Sequence, residues 1–252
     1  MKKYKSLFEV EHLRDKLAKN NKLNEFRKTY SKNYPELTNL NTKQFWNSNL
    51  DSLQSLKNQD GMTKDRIKTA VKFLPSSSTT VLDIGVGFGY LEEKLHKNKN
   101  LNLFGNDIAS KSITRIKNKF KGEYRVNSIY SLSYPKNKFD AIFILEVLEH
   151  IPPSKLFKVL SDTAKILKNR GYLIVSVPLN EGLEKMKINP SGHVRAYTEN
   201  IIKAELKLAG FTILKQKKFY AFKNYYFIKK NLATFFKNKW EPNNIIILAR
   251  KK

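Results

Sequence analysis

A carboxylate, three alternating glycines and a later group of acids and histidines are the residues of this chain whose types and spacing could do chemistry. In VLDIGVGFGYLEEKL, residues 81–95, an apolar run meets Asp83 and then Gly85, Gly87 and Gly89 before a charged amphipathic stretch begins. Glycine at a strand-to-helix turn lets the backbone approach a ligand closely, and the helix behind it offers unpaired N–H groups. The stretch therefore predicts a site for a ligand with a nucleotide-like part. Asp107 ends a second apolar run in GNDIA, twenty positions after Gly87. A short acidic side chain at a strand end can take charge-assisted hydrogen bonds from a diol. Glu146, Glu149 and His150 follow the run FDAIFIL at a spacing that gathers side chains on one side of a helical turn, and His193 stands after a further apolar run.

Three ligands fit a glycine-rich turn after a first strand: a phosphate in a P-loop, a dinucleotide, or S-adenosylmethionine. No Gly-Lys-Ser/Thr follows at P-loop spacing. The glycines are spaced G-x-G-x-G, whereas a dinucleotide turn wants G-x-G-x-x-G. The run D-I-G-V-G-F-G resembles the first motif of class I S-adenosylmethionine-dependent methyltransferases. Further matches lie at that family's intervals and extend the resemblance over about Thr63 to Phe211. GNDIA places Asp107 where the family's acidic residue binds the ribose hydroxyls. VNSIYSLSYPKNKFDAIFILEVLEH resembles the stretch from the adenine-binding loop into strand four, and GHVRAYTENIIKAELKLAGF is similar to the segment before the penultimate strand.

The resemblance implies S-adenosylmethionine as cofactor, held by Asp83, Gly85, Gly87, Gly89, Asp107, Ile108, Asn127, Ser128 and Glu146. The family often carries Asp where this chain has Ser128, next to the adenine amino group. A hydroxyl accepts that hydrogen bond more weakly than a carboxylate, and Asn127 or a backbone carbonyl can share it. The cofactor is a cation, so a chain of net charge +26 must supply local carboxylates to hold it. Asp83, Asp107 and Glu146 are expected at consecutive strand ends, the edge of an open α/β sheet where ligands bind.

The E-x-x-E-H run is similar both to ubiquinone-biosynthesis type O-methyltransferases and to RNA 3′-terminal 2′-O-methyltransferases. No Asn/Asp-Pro-Pro-Tyr/Phe motif of amino-methylating enzymes stands there. Three readings of the cluster stay open. His150 or His193, with Glu149, serves as general base for an acceptor hydroxyl, suited by a pKa near neutrality. Alternatively Glu146, Glu149, His150 and His193 ligate a divalent cation, as the resemblance to the RNA enzymes implies. In the third, Glu149 and His150 only hydrogen-bond the end of strand four and shape the cofactor pocket.

The elements that must position these residues alternate. Strands are expected at Thr79–Ile84, Asn102–Asn106, Glu123–Val126, Phe139–Leu145, Tyr172–Val177, Phe211–Phe219 and in NNIIILARK. Helices are expected at Tyr90–His96, Ser110–Phe120, Ser154–Leu167 and Glu199–Ala209. Ahead of them, amphipathic helices run from Tyr4 to about Tyr30 with a break near Asn20, another helix lies in FWNSNLDSLQSLKN, and Asp65–Leu74 is helical. The fold class is α/β: a Rossmann-like, mainly parallel seven-stranded sheet with helices on both faces, plus an N-terminal helical cap. The cap spans 1–62 and the methyltransferase domain 63–252, with a basic aromatic insertion at 217–243. The cap, with Phe45 and Trp46, is expected to lid the site.

Composition bounds the function. The chain has 252 residues, 40% hydrophobic, enough for one substantial core. With no cysteine there are no disulfides, thiolate metal sites or cysteine nucleophiles. No secretory pattern opens the sequence and no stretch approaches a membrane span, so the expectation is cytoplasmic, with peripheral membrane contact as a variant. Forty-eight Lys and Arg stand against twenty-two Asp and Glu. The excess suits an anionic partner, or reflects a Lys- and Asn-rich composition on solvated faces. The expected acceptor is a hydroxyl of a small molecule, glycan or lipid-linked precursor, with RNA 2′-O-methylation by a metal-holding site as the alternative. The basic aromatic segment could meet an anionic membrane, stack bases, or pack in the core. A non-catalytic binding protein on the same fold is disfavoured by the intact glycines and Asp107.

Overall fold

The apolar runs pair into one seven-stranded sheet. The computed structural model describes residues 6–31, 36–53, 61–183, 191–222, 224–236 and 240–252. The strands are β1 (Thr80–Ile84), β2 (Asn102–Asp107), β3 (Glu123–Val126), β4 (Phe139–Leu145), β5 (Leu167–Pro178), β6 (Phe211–Phe219) and β7 (Asn244–Lys251), ordered β3-β2-β1-β4-β5-β7-β6. Pairs β1–β2, β2–β3, β1–β4 and β4–β5 are parallel, and β7 runs antiparallel between β5 and β6. The mainly parallel sheet is as expected. Its order reverses at β1, which pairs with β2 on one side and β4 on the other, so a crevice opens beyond the C-terminal ends of those strands.

Helices cover both faces because the strands alternate their side chains between two apolar layers. Leu82, Ile84, Ile142, Ile144, Ile245 and Ile247 point to one layer, packed by α1 (Leu7–Lys19), α2 (Leu23–Lys28), α7 (Pro153–Ile166) and α8 (Glu199–Leu208). Val81, Ala141, Phe143, Ile246 and Leu248 point to the other, packed by α4 (Gly61–Phe73) and α5 (Glu92–Leu95). A smaller cluster joins α6 (Ser110–Lys117) to Val86 and Tyr124. The described residues also include α3 (Lys43–Leu53) and α9 (Tyr226–Phe235).

The N-terminal helices are tied to this core. Leu17 of α1 and Phe26 of α2 are buried in the first layer. Arg14 donates to Glu11 at 2.9 Å and Thr29 at 3.0 Å, Tyr30 donates to Glu205, and Arg195 pairs with Glu205. Arg14, Arg195 and Glu205 have no exposed surface.

Several expected boundaries move. β5 begins at Leu167 rather than Tyr172, since Leu167 already pairs with Phe139 before a bulge, and α7 ends one residue earlier. α4 begins at Gly61 rather than Asp65, and α5 is shorter than the expected Tyr90–His96 helix because the glycine turn takes the first two of those residues. Tyr4, the residues from Gln54 to Asn58 of the third expected helix, and Lys223, Lys237 and Lys239 of the basic aromatic insertion lie outside the described residues.

Candidate functional site

The glycine turn begins where β1 ends. Gly85 has φ +85°, and a Cβ there would meet Val147 Cγ2 at 2.5 Å, so only glycine fits between the turn and the segment after β4. Gly87 N–H donates to Asp107 Oδ2 at 2.9 Å, while Ala109 N–H donates to Oδ1 at 2.7 Å. Asp107 is thus held by the glycine turn on one side and the approach to α6 on the other. Burial raises its pKa more than those N–H groups lower it.

A cavity of about 460 Å³ lies above these strand ends, a volume in the usual range for small-molecule sites. Its wall carries Asp83, Gly85, Gly87, Asp107, Ile108, Asn127, Ser128, Glu146 and His150. Gly89, expected with them, is not on that wall. A Cβ on it would sit 3.0 Å from Ile116 Cγ1, so its place in the turn is against α6. Asn127 is occupied within its own loop, accepting from Ser128 N–H at 2.9 Å and donating to Ser131 O at 2.9 Å. The Ser128 hydroxyl accepts from Tyr130 N–H at 3.3 Å.

Asp83 is buried, and its Oδ1 has no hydrogen-bond partner among the described residues. Burial, and then neighbouring Glu92, push its pKa well above the carboxylate range. Burial raises Glu92 to about 7, and the two carboxyl groups share a hydrogen bond that couples their titration. An unsatisfied acid oxygen at the glycine turn fits a ligand bearing a sulfonium and an ammonium group, since a cation there would draw the pair toward ionisation.

Glu146 has φ +57° at the end of β4. Its carboxylate accepts from Ser176 Oγ at 2.7 Å and Asn244 Nδ2 at 2.9 Å, and pairs with Arg66 Nη1 at 2.8 Å. It faces the cavity, but its charge is balanced by α4. Sequence reasoning missed Arg66 and Glu92. Arg66 could have been noticed as a cation beside Ile67 on the apolar stripe of its helix; Glu92, next to the similar Glu93, gives no local signal.

The acid and histidine cluster forms without Glu146. Ligand atoms of Glu149, His150 and His193 all lie within 4.8 Å of one another. Glu149 is fully buried with no hydrogen-bond partner on either carboxylate oxygen among the described residues, and burial holds its pKa well above the usual range. The His150 Nδ1 lies 3.3 Å from Gly192 O, and the His193 Nδ1 2.8 Å from Glu181 Oε2. With each Nδ1–H donated to its oxygen, each ring's lone pair sits on Nε2, the arrangement of a metal-binding histidine with an outer acceptor. Burial, with His193 adding to it, pushes His150 down to about 3. The near-neutral value expected of a general base is therefore not found at His150, and its neutral imidazole is the form present at physiological pH. Two imidazoles and an otherwise unsatisfied carboxylate are a donor set that fits a divalent transition metal. Trp46 of α3 closes over His150, ring centroids 4.7 Å apart, and Asn41 donates to Gly192 O at 2.9 Å.

A family model described as a methyltransferase domain matches residues 48–216. The chain belongs to the methyltransferase-domain family. Among curated proteins, this methyltransferase domain is 32% identical over 111 residues to a ubiquinone biosynthesis O-methyltransferase from Bartonella tribocorum, covering 42% of this chain and 44% of that protein. It spans less than half the length of the curated relatives it matches. The fold matches a SAM-dependent methyltransferase from Archaeoglobus fulgidus at TM-score 0.63 and 20% identity, over 81% of this chain and 99% of that one. It also matches the N-methyltransferase NodS from Bradyrhizobium japonicum, in complex with S-adenosyl-L-homocysteine, at TM-score 0.59 and 17% identity, over 82% of this chain and 98% of that one. The expected superfamily and Rossmann-like fold class are borne out.

Proposed function

We propose that this domain transfers the methyl group of S-adenosylmethionine to a hydroxyl of a small-molecule, glycan or lipid-linked acceptor. One observation carries the proposal: the unsatisfied Asp83 oxygen, the Gly85–Gly87 turn and Asp107 share a cavity wall with His150. The cofactor, when bound, supplies an electrophilic methyl on a good leaving group. The chain's own part is mainly to orient and enclose, which can contribute on the order of 7 to 11 kcal/mol in favourable cases. Asp107, already aimed by two backbone N–H groups, is placed to take ribose hydroxyls; Asp83 and Glu92 supply negative charge at the turn. Trp46 and Leu50 of α3 lie on the cavity wall and exclude water.

The acceptor proton needs a destination. Burial weakens His150 as a base, and the convergence of ligand atoms of Glu149, His150 and His193 within 4.8 Å supports the version in which they hold a divalent cation. Such an ion would lower the pKa of a nearby hydroxyl. The similarity to a ubiquinone biosynthesis O-methyltransferase supports a hydroxylated aromatic as the first acceptor to try. RNA 2′-hydroxyls are the second reading, supported by the same cluster and the net charge of +26. Methyl transfer from labelled cofactor to catechols, hydroxylated quinols, polyprenylated phenols and 3′-terminal RNA, with and without chelator, tests both. Labelled catechol or quinol product supports the first; label confined to RNA overturns it.

A further inference from the structure

The thirty residues Phe211–Trp240 hold eight lysines and ten aromatic residues and no Asp or Glu. Their helix, α9, is docked by one face only. Tyr226 lies over Gly61 of α4, where a Cβ would be 2.6 Å from the ring, Lys230 Nζ reaches Asp65 Oδ2 at 2.9 Å, and Ala233 is buried. The outward face carries Phe227, Ile228, Leu232 and Phe235, exposed by 62%, 63%, 45% and 88%. Their spacing puts them on one helical stripe, and Tyr225 at the helix start, exposed by 75%, adjoins it. A contiguous apolar surface of this kind on a folded chain marks an interaction site.

Charge selects the occupant. Of the carboxylates near this region, Asp65 is paired with Lys217 and Lys230 and Glu199 with Lys203 and Lys218, while Glu241, directly after Trp240, is exposed and leaves the segment with a large excess of lysine. Lys229 on α9 and Lys215 on β6 are exposed. An aromatic centre with a positive surround is complementary to anionic headgroups over acyl chains. A second copy would present the same positive field to itself. No described helix is long and apolar enough to cross a membrane, so the contact would lie in the interface plane.

We propose that α9 docks this chain on an anionic lipid bilayer, with Phe227, Ile228, Leu232 and Phe235 in the headgroup–acyl boundary. The helix that carries α9 also lends Thr63, Arg66 and Ile67 to the cavity wall, so the cavity stands one helix away from the docked surface. The docking does not depend on methyl transfer. For the proposed function it supplies a route by which a lipid-linked acceptor reaches the site.

Co-sedimentation of the full chain with phosphatidylglycerol–phosphatidylcholine vesicles, against phosphatidylcholine alone, tests the docking. Binding to the anionic vesicles only is expected, falling about tenfold or more between ~0.1 M and ~1 M salt, where the screening length drops from ~10 to ~3 Å. A Phe227→Ser/Ile228→Ser/Phe235→Ser variant should lose about tenfold or more in vesicle affinity. Its calorimetric affinity for S-adenosylmethionine should be unchanged. Should that variant fail to fold, Lys229→Glu takes its place and is expected to weaken vesicle binding. The proposal is overturned if the wild type ignores anionic vesicles, or if the folded variant binds them as well as the wild type does. It is also overturned if sedimentation velocity shows that these substitutions dissolve a dimer that the wild type forms. Vesicle binding by a chain that takes no cofactor would remove the methyl-transfer reading and leave the docking intact.

Discussion

The guanidinium of Arg66 lies 2.8 Å from the carboxylate of Glu146, joining α4 to the end of β4 on the cavity wall. Glu146 therefore does not present an uncompensated charge to the cavity, and in the proposed reading the negative charge facing the cofactor is left to Asp83 with Glu92. Both partners are mostly buried, so breaking the pair leaves a charge with poor solvation. Arg66→Met is expected to destabilise the fold by roughly 2–4 kcal/mol, and adding Glu146→Gln should recover a good part of the loss. Urea denaturation of the single and double variants measures this. Losses that simply add would contradict it.

The Asp83–Glu92 pair predicts a stability that falls as pH rises. Glu92 sits at about 7 in the folded chain against 4.5 as its reference, so the native state binds more protons between those values. The contribution is fully present below about 4.5 and is lost as pH passes through about 7, amounting to on the order of 3 kcal/mol as an upper bound. Glu92→Gln should flatten this part of the profile in denaturation curves taken across that range. An unchanged slope in the variant would assign the pH dependence elsewhere. Cofactor affinity should move the opposite way and rise with pH as the pair gains negative charge.

Arg195 and Glu205 form a fully buried pair that also meets Tyr30 of the N-terminal cap. Glu205→Gln leaves a guanidinium buried without its counter-charge, and a loss of about 3–5 kcal/mol is expected. Arg195 stands two residues after His193, so Arg195→Met should also loosen the histidine that completes the Glu149 cluster. A variant stable enough to purify should then show a weaker response to divalent cations in thermal shift. An unaltered response would separate the cap network from the cluster.

For the cluster itself, Glu149→Gln and His193→Ala should each lower the affinity for zinc or cobalt by about tenfold or more in competition with a chromophoric chelator, because each removes a donor atom. Glu181→Gln removes the charged acceptor that orients His193 and should weaken metal affinity by about tenfold. Wild-type protein that leaves the chelator fully metallated would end the metal version of the proposal.

Much of the frame was legible because it is written locally. Short apolar runs bounded by Gly, Pro and Asn placed β3, β4 and β6 at their observed limits, and the glycine spacing with Asp107 located one wall of the cavity. What escaped depends on contacts distant in sequence. The reversal of β7 between β5 and β6 leaves no mark in its own apolar pattern. Glu92 and Glu93 are adjacent and alike, yet only Glu92 turns inward to meet Asp83. Glu146 lies on the cavity wall, but its pairing with Arg66, some eighty positions earlier, could not be read from its own surroundings. The expected neutral pKa of His150 failed because it presumed a wet site, whereas Trp46 and His193 enclose the ring.

The most direct measurement is isothermal titration of the folded chain with S-adenosylmethionine and S-adenosylhomocysteine, with Asp107→Ala alongside. The account predicts saturable one-to-one binding of both ligands, weakened in the variant by about tenfold or more as the charge-assisted ribose contact is lost. Absence of heat from folded wild-type protein, or equal affinity in the variant, would contradict the assignment of the cavity to this cofactor.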